Sequence, residues 1–178
     1  MPAYWRTSIN IANAWEHAQC ESPTPQTRKV ALRAAMVMSA DRGGVFEVLS
    51  RLVRLGLGGA IAGGKQYMSW IHEHDFVRAI EFIINQESID GPINLAAPSP
   101  IPQGEFMTEL RRAWGVWLGL PATRWMIEIG AFFIRTDTEL LLKSRRVIPG
   151  RLVAAGYKFE LPEWRAAAVD LVNRFRHG

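Results

Sequence analysis

Gly64-Lys65-Gln66-Tyr67-Met68-Ser69-Trp70-Ile71-His72-Glu73-His74-Asp75 is the stretch on which the fold turns. Its first half, Tyr67 to His72, reads as extended chain. Asp75 then stands where an N-cap is wanted, because its carboxylate can accept from the free backbone N–H groups of a following turn. The helix so opened runs to about Asn85 and sets Phe76, Val77, Ile80, Ile83 and Ile84 toward a core. Extended chain passing straight into an amphipathic helix is one strand–helix unit of an α/β fold.

Upstream the pattern recurs. Ser8 to Gln19 reads as a helix with Ile9, Ala12 and Trp15 on its apolar side and Ile11 on the flank; Pro23 and Pro25 end it. Arg28 to Met38 is a short apolar run with few charges, the signature of a buried strand in a parallel sheet. Asp41-Arg42-Gly43-Gly44 makes a turn, and Val45 to Leu55 a helix with Phe46, Leu49, Leu52 and Val53 on one face. Five glycines between Gly56 and Gly64 require a loop.

Downstream, Asp90-Gly91 is a turn, Pro92 to Ala97 a strand, and Glu105 to Trp114 a helix. Helices are expected from Pro121 to Ile134 and from Thr138 to Ser144. A short strand is expected at Tyr157 to Phe159, and a last helix from Pro162 to near Arg176. Strands alternate with helices first, and helices dominate later.

The bulk numbers bound the function. A chain of 178 residues suits one domain or a large part of one. Its 48% hydrophobic and 21% charged content is that of a globular protein. No apolar run reaches the roughly 18 residues of a membrane span, so a cytoplasmic protein with no membrane partner is expected. Cys20 is the one cysteine, which excludes an internal disulfide. The net charge of +4 is spread along the chain, and its densest part, Lys143 to Arg151, comes with no nucleic-acid motif. No nucleic-acid partner is expected; a solvated helix end is the plain reading of that run, and a surface for a phosphorylated small molecule the functional one.

Two motifs fall short. Gly59-Ala-Ile-Ala-Gly63-Gly64-Lys65-Gln66 has P-loop spacing, but Gln66 replaces the magnesium-binding Ser or Thr, and the segment follows a helix and precedes extended chain, the reverse of a P-loop. His72 and His74 flank Glu73 and could share a strand face, yet no third ligand is spaced to complete a metal site. A structural histidine at a strand end, or a polar group lining a pocket, is the better reading.

The opening stretch, together with Gly91-Pro92-Ile93-Asn94-Leu95-Ala96-Ala97-Pro98, resembles an epimerase family allied to nucleoside-diphosphate-sugar epimerases, within the atypical extended short-chain dehydrogenases/reductases. Trp15-Glu16 ahead of Arg28 to Arg33, and Leu55-Gly56-Leu57-Gly58-Gly59, support it. Lys143-Ser144-Arg145-Arg146-Val147-Ile148-Pro149, Leu152, Ala155-Gly156-Tyr157 and Phe159 look like that family's small carboxy-terminal domain of unknown function.

The resemblance implies the carboxy-terminal part of a Rossmann-type α/β fold with a mainly helical substrate-side region. Residues 1–120 would complete the Rossmann-type domain and 121–178 form the small helical domain. Intact members would bind NADP or NAD; this chain shows no Gly-x-Gly-x-x-Gly turn and is expected to bind neither alone. Aligned on Glu16, Ser8 stands where related reductases carry their catalytic Tyr and Ala12 where they carry the Lys, so no catalytic residue is assigned. Met68 stands where nucleotide-sugar epimerases place an Arg on the diphosphate, and a thioether cannot make that charge-assisted bond. Arg33, Gln66, Ser69, Trp70 and His72 are the candidate substrate-binding residues. The expectation is a substrate-side fragment for a small molecule, pairing with an amino-terminal half or with itself. The alternative is a binding or assembly module that uses its open sheet edge, with Trp114, Trp117, Trp125 and Trp164 as candidate anchors.

Overall fold

The computed structural model describes residues 3–61, 63–121 and 144–178. In chain order these form α1 (Ala3–Glu21), β1 (Val30–Ala34), β2 (Met36–Met38), α2 (Val45–Arg54), β3 (Tyr67–Met68), β4 (Trp70–His72), α3 (Glu73–Asn85), β5 (Gly91–Leu95), β6 (Ile101–Pro102), α4 (Gln103–Trp114), α5 (Gly150–Ala154) and α6 (Trp164–His177). The two helices expected within 121–144 lie outside the described residues, save their end positions Pro121 and Ser144, which belong to no helix. So does Trp125. No helix among the described residues is long and apolar enough to cross a membrane.

Three strand pairs carry the architecture. β1 runs parallel to β5, with Val30 opposite Gly91 and Ala34 opposite Leu95. β2 runs parallel to β4, and β3 pairs antiparallel with β6. The single apolar run expected from Arg28 to Met38 is thus two strands. At the break, Ala35 N–H still donates to Leu95 O (2.9 Å), whereas Met36 N–H donates to Ser69 O (3.3 Å), so the chain changes partner within one residue.

Only one edge of β1 is paired among the described residues. The donors Gly91 N–H to Lys29 O and Ala35 N–H to Leu95 O fix the parity: odd-numbered residues face β5. Val30, Leu32 and Ala34 therefore turn their N–H and C=O to the other side, where Val30 O takes only the Gln19 side chain (3.3 Å). The helix beside this edge is little buried: Ile9, Ile11 and Trp15 of α1 are exposed, Trp15 to 73%, and Leu32 to 42%.

The rest packs in two layers on β4. All three of its residues are buried, and their side chains alternate. Trp70 points into a core built with Phe46, Phe106, Leu110 and Trp164, the work of α2, α4 and α6. Ile71 points the other way, into a core with Ile83, Ile93, Leu95 and Leu152 from α3, β5 and α5. Trp164 stacks on Phe106 at 3.8 Å between centroids and meets Trp70 edge-on at 5.0 Å, which locks α6 against α4.

Some expectations shift. Helix α3 starts two residues before Asp75, and its cap is His72, whose ring accepts from His74 N–H (3.1 Å). No strand forms at Tyr157–Phe159; the two rings instead pack edge-on at 4.8 Å. Of the tryptophans considered as anchors, Trp164 is core, Trp114 is half-buried, and Trp117 is 89% exposed.

The glycine-rich loop has a packing explanation. A Cβ on Gly59 would sit 2.3 Å from Leu120 O, and one on Gly64, at φ +66°, would sit 2.9 Å from Gly104 Cα. The glycines let backbone lie against backbone, including the bond from Gly59 N–H to Leu120 O (3.1 Å). Gly59→Ala should therefore lower the urea stability by about 1–3 kcal/mol through overpacking against unyielding main chain. Gly44→Ala, whose Cβ meets nothing nearer than 3.7 Å, is the control that should move the midpoint far less.

Candidate functional site

A cleft of about 720 Å³ opens at the carboxyl ends of β1 and β5, the location where open α/β sheets take ligands. Arg33 to Met36 line one part of it, Tyr67, Met68 and Ser69 a second, Asn94 a third, and Arg145 to Ile148 the last. The segment 144–148 has no regular structure and is held in place by bonds to β3 and its neighbours. Tyr67 N–H donates to Ser144 Oγ (3.1 Å), and Arg145 N–H to Tyr67 O (2.9 Å). Ser69 Oγ donates to Arg145 O (2.7 Å) and accepts from Val147 N–H (2.8 Å). Asn94 Nδ2 donates to Ile148 O (3.4 Å).

The cleft is cationic. Arg33 grips Glu16 of α1 through two bonds, Nε to Oε1 and Nη2 to Oε2, each 2.6 Å. These bonds hold the Glu16 carboxyl below and the Arg33 guanidinium above their ordinary pKa values. The pair is solvent-exposed, so it orients Arg33 more than it stabilises the fold. Arg146 lies over the Tyr67 ring at 5.0 Å, a cation–π contact that aligns the guanidinium at the cleft.

The candidates named from sequence divide. Arg33 and Ser69 line the cleft, Ser69 as the clasp for segment 144–148. Gln66 sits in the loop before β3, where its amide donates to Ile61 O (3.0 Å). Trp70 is fully buried, with Nε1 on Ser99 O (3.3 Å). His72 is fully buried as well; Nδ1 caps α3, and Nε2 donates to Asp170 Oδ2 (3.1 Å). Both its ring nitrogens are thereby engaged, and no group of three metal-ligating side chains occurs among the described residues. Tyr67, Asn94, Arg145 and Arg146 are polar cleft residues that the sequence did not single out as binders; only Arg145 and Arg146 fall in the Lys143–Arg151 run, for which a surface for a phosphorylated small molecule was the functional reading.

Asp75 has a different task from capping. Its buried carboxylate accepts from Glu160 N–H (2.8 Å) and Leu161 N–H (2.9 Å), and the Tyr157 hydroxyl donates to its main-chain oxygen (2.9 Å). Burial, reinforced by the Asp75 charge, drives the Tyr157 pKa upward, so the phenol remains a donor.

The described residues do not fit a dinucleotide pyrophosphate. Such a group needs free N–H donors on a glycine turn between strand and helix. The turn from β2 to α2 is the one candidate with glycines, and protein carboxylates already hold it: Gly43 N–H donates to Glu47 (2.6 Å) and Ala40 N–H to Glu73 (3.4 Å). The turn into α3 is capped by His72 and carries Glu73 and Asp75 in its first turn.

Comparison with known proteins gives the class first. The chain superposes on human epimerase family protein SDR39U1, in a structure with NADPH, at a TM-score of 0.81 and 31% identity, covering 92% of this chain and 54% of that one. It also superposes on a nucleoside-diphosphate sugar epimerase of Corynebacterium glutamicum, at a TM-score of 0.68 and 26% identity, over 90% of this chain and 29% of that one. The architecture is thus part of an NAD(P)-binding epimerase fold of the short-chain dehydrogenase/reductase type.

The sequence narrows it. An epimerase family protein of Mycobacterium tuberculosis is 37% identical over 145 residues, 82% of this chain and 47% of its own length. Residues 122–171 match a domain of unknown function, DUF1731. The chain belongs to this epimerase family and spans about half the length of the curated relatives it matches.

The buried His72 makes a pH prediction. Burial lowers its pKa below the ordinary imidazole value of about 6.5, against the opposing pull of Asp170 and Glu73. Above that value both folded and unfolded chains hold it neutral, and its contribution is complete. As the pH falls below it the unfolded chain takes the proton first, and stability is lost until the folded pKa is passed. Protonated Nδ1 would also confront His74 N–H and lose the cap. Denaturation midpoints should fall between pH 7 and pH 5, and His72→Asn, which keeps a capping oxygen without titrating, should flatten that slope.

Proposed function

We propose that this chain is the substrate-side half of an NAD(P)-dependent epimerase or reductase-like protein. Its cleft receives a small-molecule substrate, and cofactor binding and chemistry require a nucleotide-binding half joined along the free edge of β1. The observation that carries the reading is the coincidence of two features on one strand. β1 ends at the cleft through Arg33 and Ala34, and along its length it offers an edge unpaired among the described residues and flanked by the exposed Ile9, Ile11, Trp15 and Leu32. An edge with that much apolar surface beside it favours another strand over water.

Arg33, held by Glu16, and Arg146, held on Tyr67, orient the substrate in this reading. Neither Ser8 nor Ala12 on α1 supplies acid–base chemistry of the Tyr–Lys kind, and no proton-transfer group is assigned on this chain. A second reading has its own support in the same edge: a module that assembles with a copy of itself, β1 to β1.

NADPH fluorescence, titrated with the protein while light scattering records its mass, separates the outcomes. The proposal expects no saturable change in fluorescence. Micromolar binding by this chain alone would overturn it. A stable dimer without cofactor binding would favour the assembly module.

A further inference from the structure

The lining of the cleft says which chemical class it takes. This step rests on the reading of the cleft as the substrate site. Among the described residues no carboxylate lines it, although sugar hydroxyls are commonly gripped by such acceptors. Two of its neutral polar side chains spend their donors on the segment 144–148. The Ser69 hydroxyl donates to Arg145 O and accepts from Val147 N–H, and the Asn94 amide donates to Ile148 O.

What remains is cation and apolar surface. Arg146 lies on the Tyr67 ring and has no carboxylate partner among the described residues, whereas Arg33 is neutralised by Glu16. Around them stand Ala34, Ala35, Met36, Met68, Val147 and Ile148. Ile148 is 56% exposed, and Met36 is half-buried at the cleft. Of the two methionines only Met36 is accessible, Met68 being core, and its thioether suits an apolar body of no fixed shape. A ring bearing several hydroxyls would leave most of them unpaired here, at the cost of desolvating each.

We infer that the cleft binds an amphiphilic anion, with a phosphate or carboxylate head at the Arg146 guanidinium and an apolar body against Met36, Val147 and Ile148, and that it does not bind a sugar diphosphate.

The test is a titration of the nitrogen-15-labelled chain with hexyl phosphate and, separately, hexanoate, compared with glucose 1-phosphate and UDP-glucose. Hexyl phosphate or hexanoate should give saturable amide shifts confined to Ser69, Asn94, Val147 and Ile148, and the tighter of the two identifies the head group. Glucose 1-phosphate should bind at least about tenfold more weakly, and Arg146→Ala should weaken the hexyl probe by about tenfold, the usual value of a bond to a charged group. Arg146→Gln serves if the alanine variant does not fold. Sugar phosphates that bind in the cleft as tightly as the hexyl probes would overturn the inference and leave the cleft as the substrate site. Unchanged affinity in a folded Arg146 variant would overturn it as well. Shifts that appear only outside the cleft, or nowhere, would overturn the substrate-site reading along with it.

Discussion

Three residues, Trp70-Ile71-His72, are buried on both faces, and the rest of the molecule is arranged around that constraint. A strand so short cannot persist by its own hydrogen bonds. It persists because Trp70 and Ile71 project into separate cores, so that α2, α4 and α6 close one side and α3 and α5 the other. Truncation to alanine would open a cavity worth about 3–5 kcal/mol at Trp70 and about 2–5 kcal/mol at Ile71. The third residue, His72, ends the strand and starts α3, and its ring reaches Asp170 of α6. Glu73 extends this link, taking Arg174 of α6 at 2.6 Å and the Ser39 hydroxyl beyond β2.

The same stretch ties down the carboxy-terminal region. Asp75 fixes residues 157–161 through two main-chain donors, and Tyr67 and Ser69 fix 144–147. The cleft therefore exists only because chain segments about 76 residues apart are stitched together. Its cationic wall is a by-product of that stitching: a basic run with no partner motif of its own is laid along the ends of the strands that form the sheet.

Periodicity and glycine placement made the α/β pattern legible. The helices at Val45, Asp75 and Glu105 were expected within two residues of their observed starts, because apolar spacing and turn residues are local signals. The lining of the candidate cleft was legible in part. Arg33 and Ser69 reach the cleft; Trp70 and His72 do not line it, because alternation along a strand buried on both faces leaves no solvent face, and burial on both sides is a tertiary fact. Asp75 looked like a cap because acid before an apolar run is the cap signature. The imidazole three residues earlier took that place, and the carboxylate turned to the distant Glu160 and Leu161 amides, which no window of sequence connects to it. Tyr67 and Arg146 were missed for the same reason, being 79 residues apart and joined only by a ring contact.

What distinguishes this chain from a closed α/β domain is β1. Among the described residues it is bonded on one side, lined by exposed apolar residues, and positioned at the mouth of the cleft, while relatives of the family run to about twice the length. Native-state hydrogen exchange on the protein tests that account most directly. The Leu32 and Ala34 amides face the open edge and should exchange at least about a hundredfold faster than Arg33, Ile71 and Ile93, whose amides lie inside the paired ladders. Equal protection of Leu32, Ala34 and Arg33 would mean that both edges of β1 are bonded in solution, and would contradict the open edge on which the account rests.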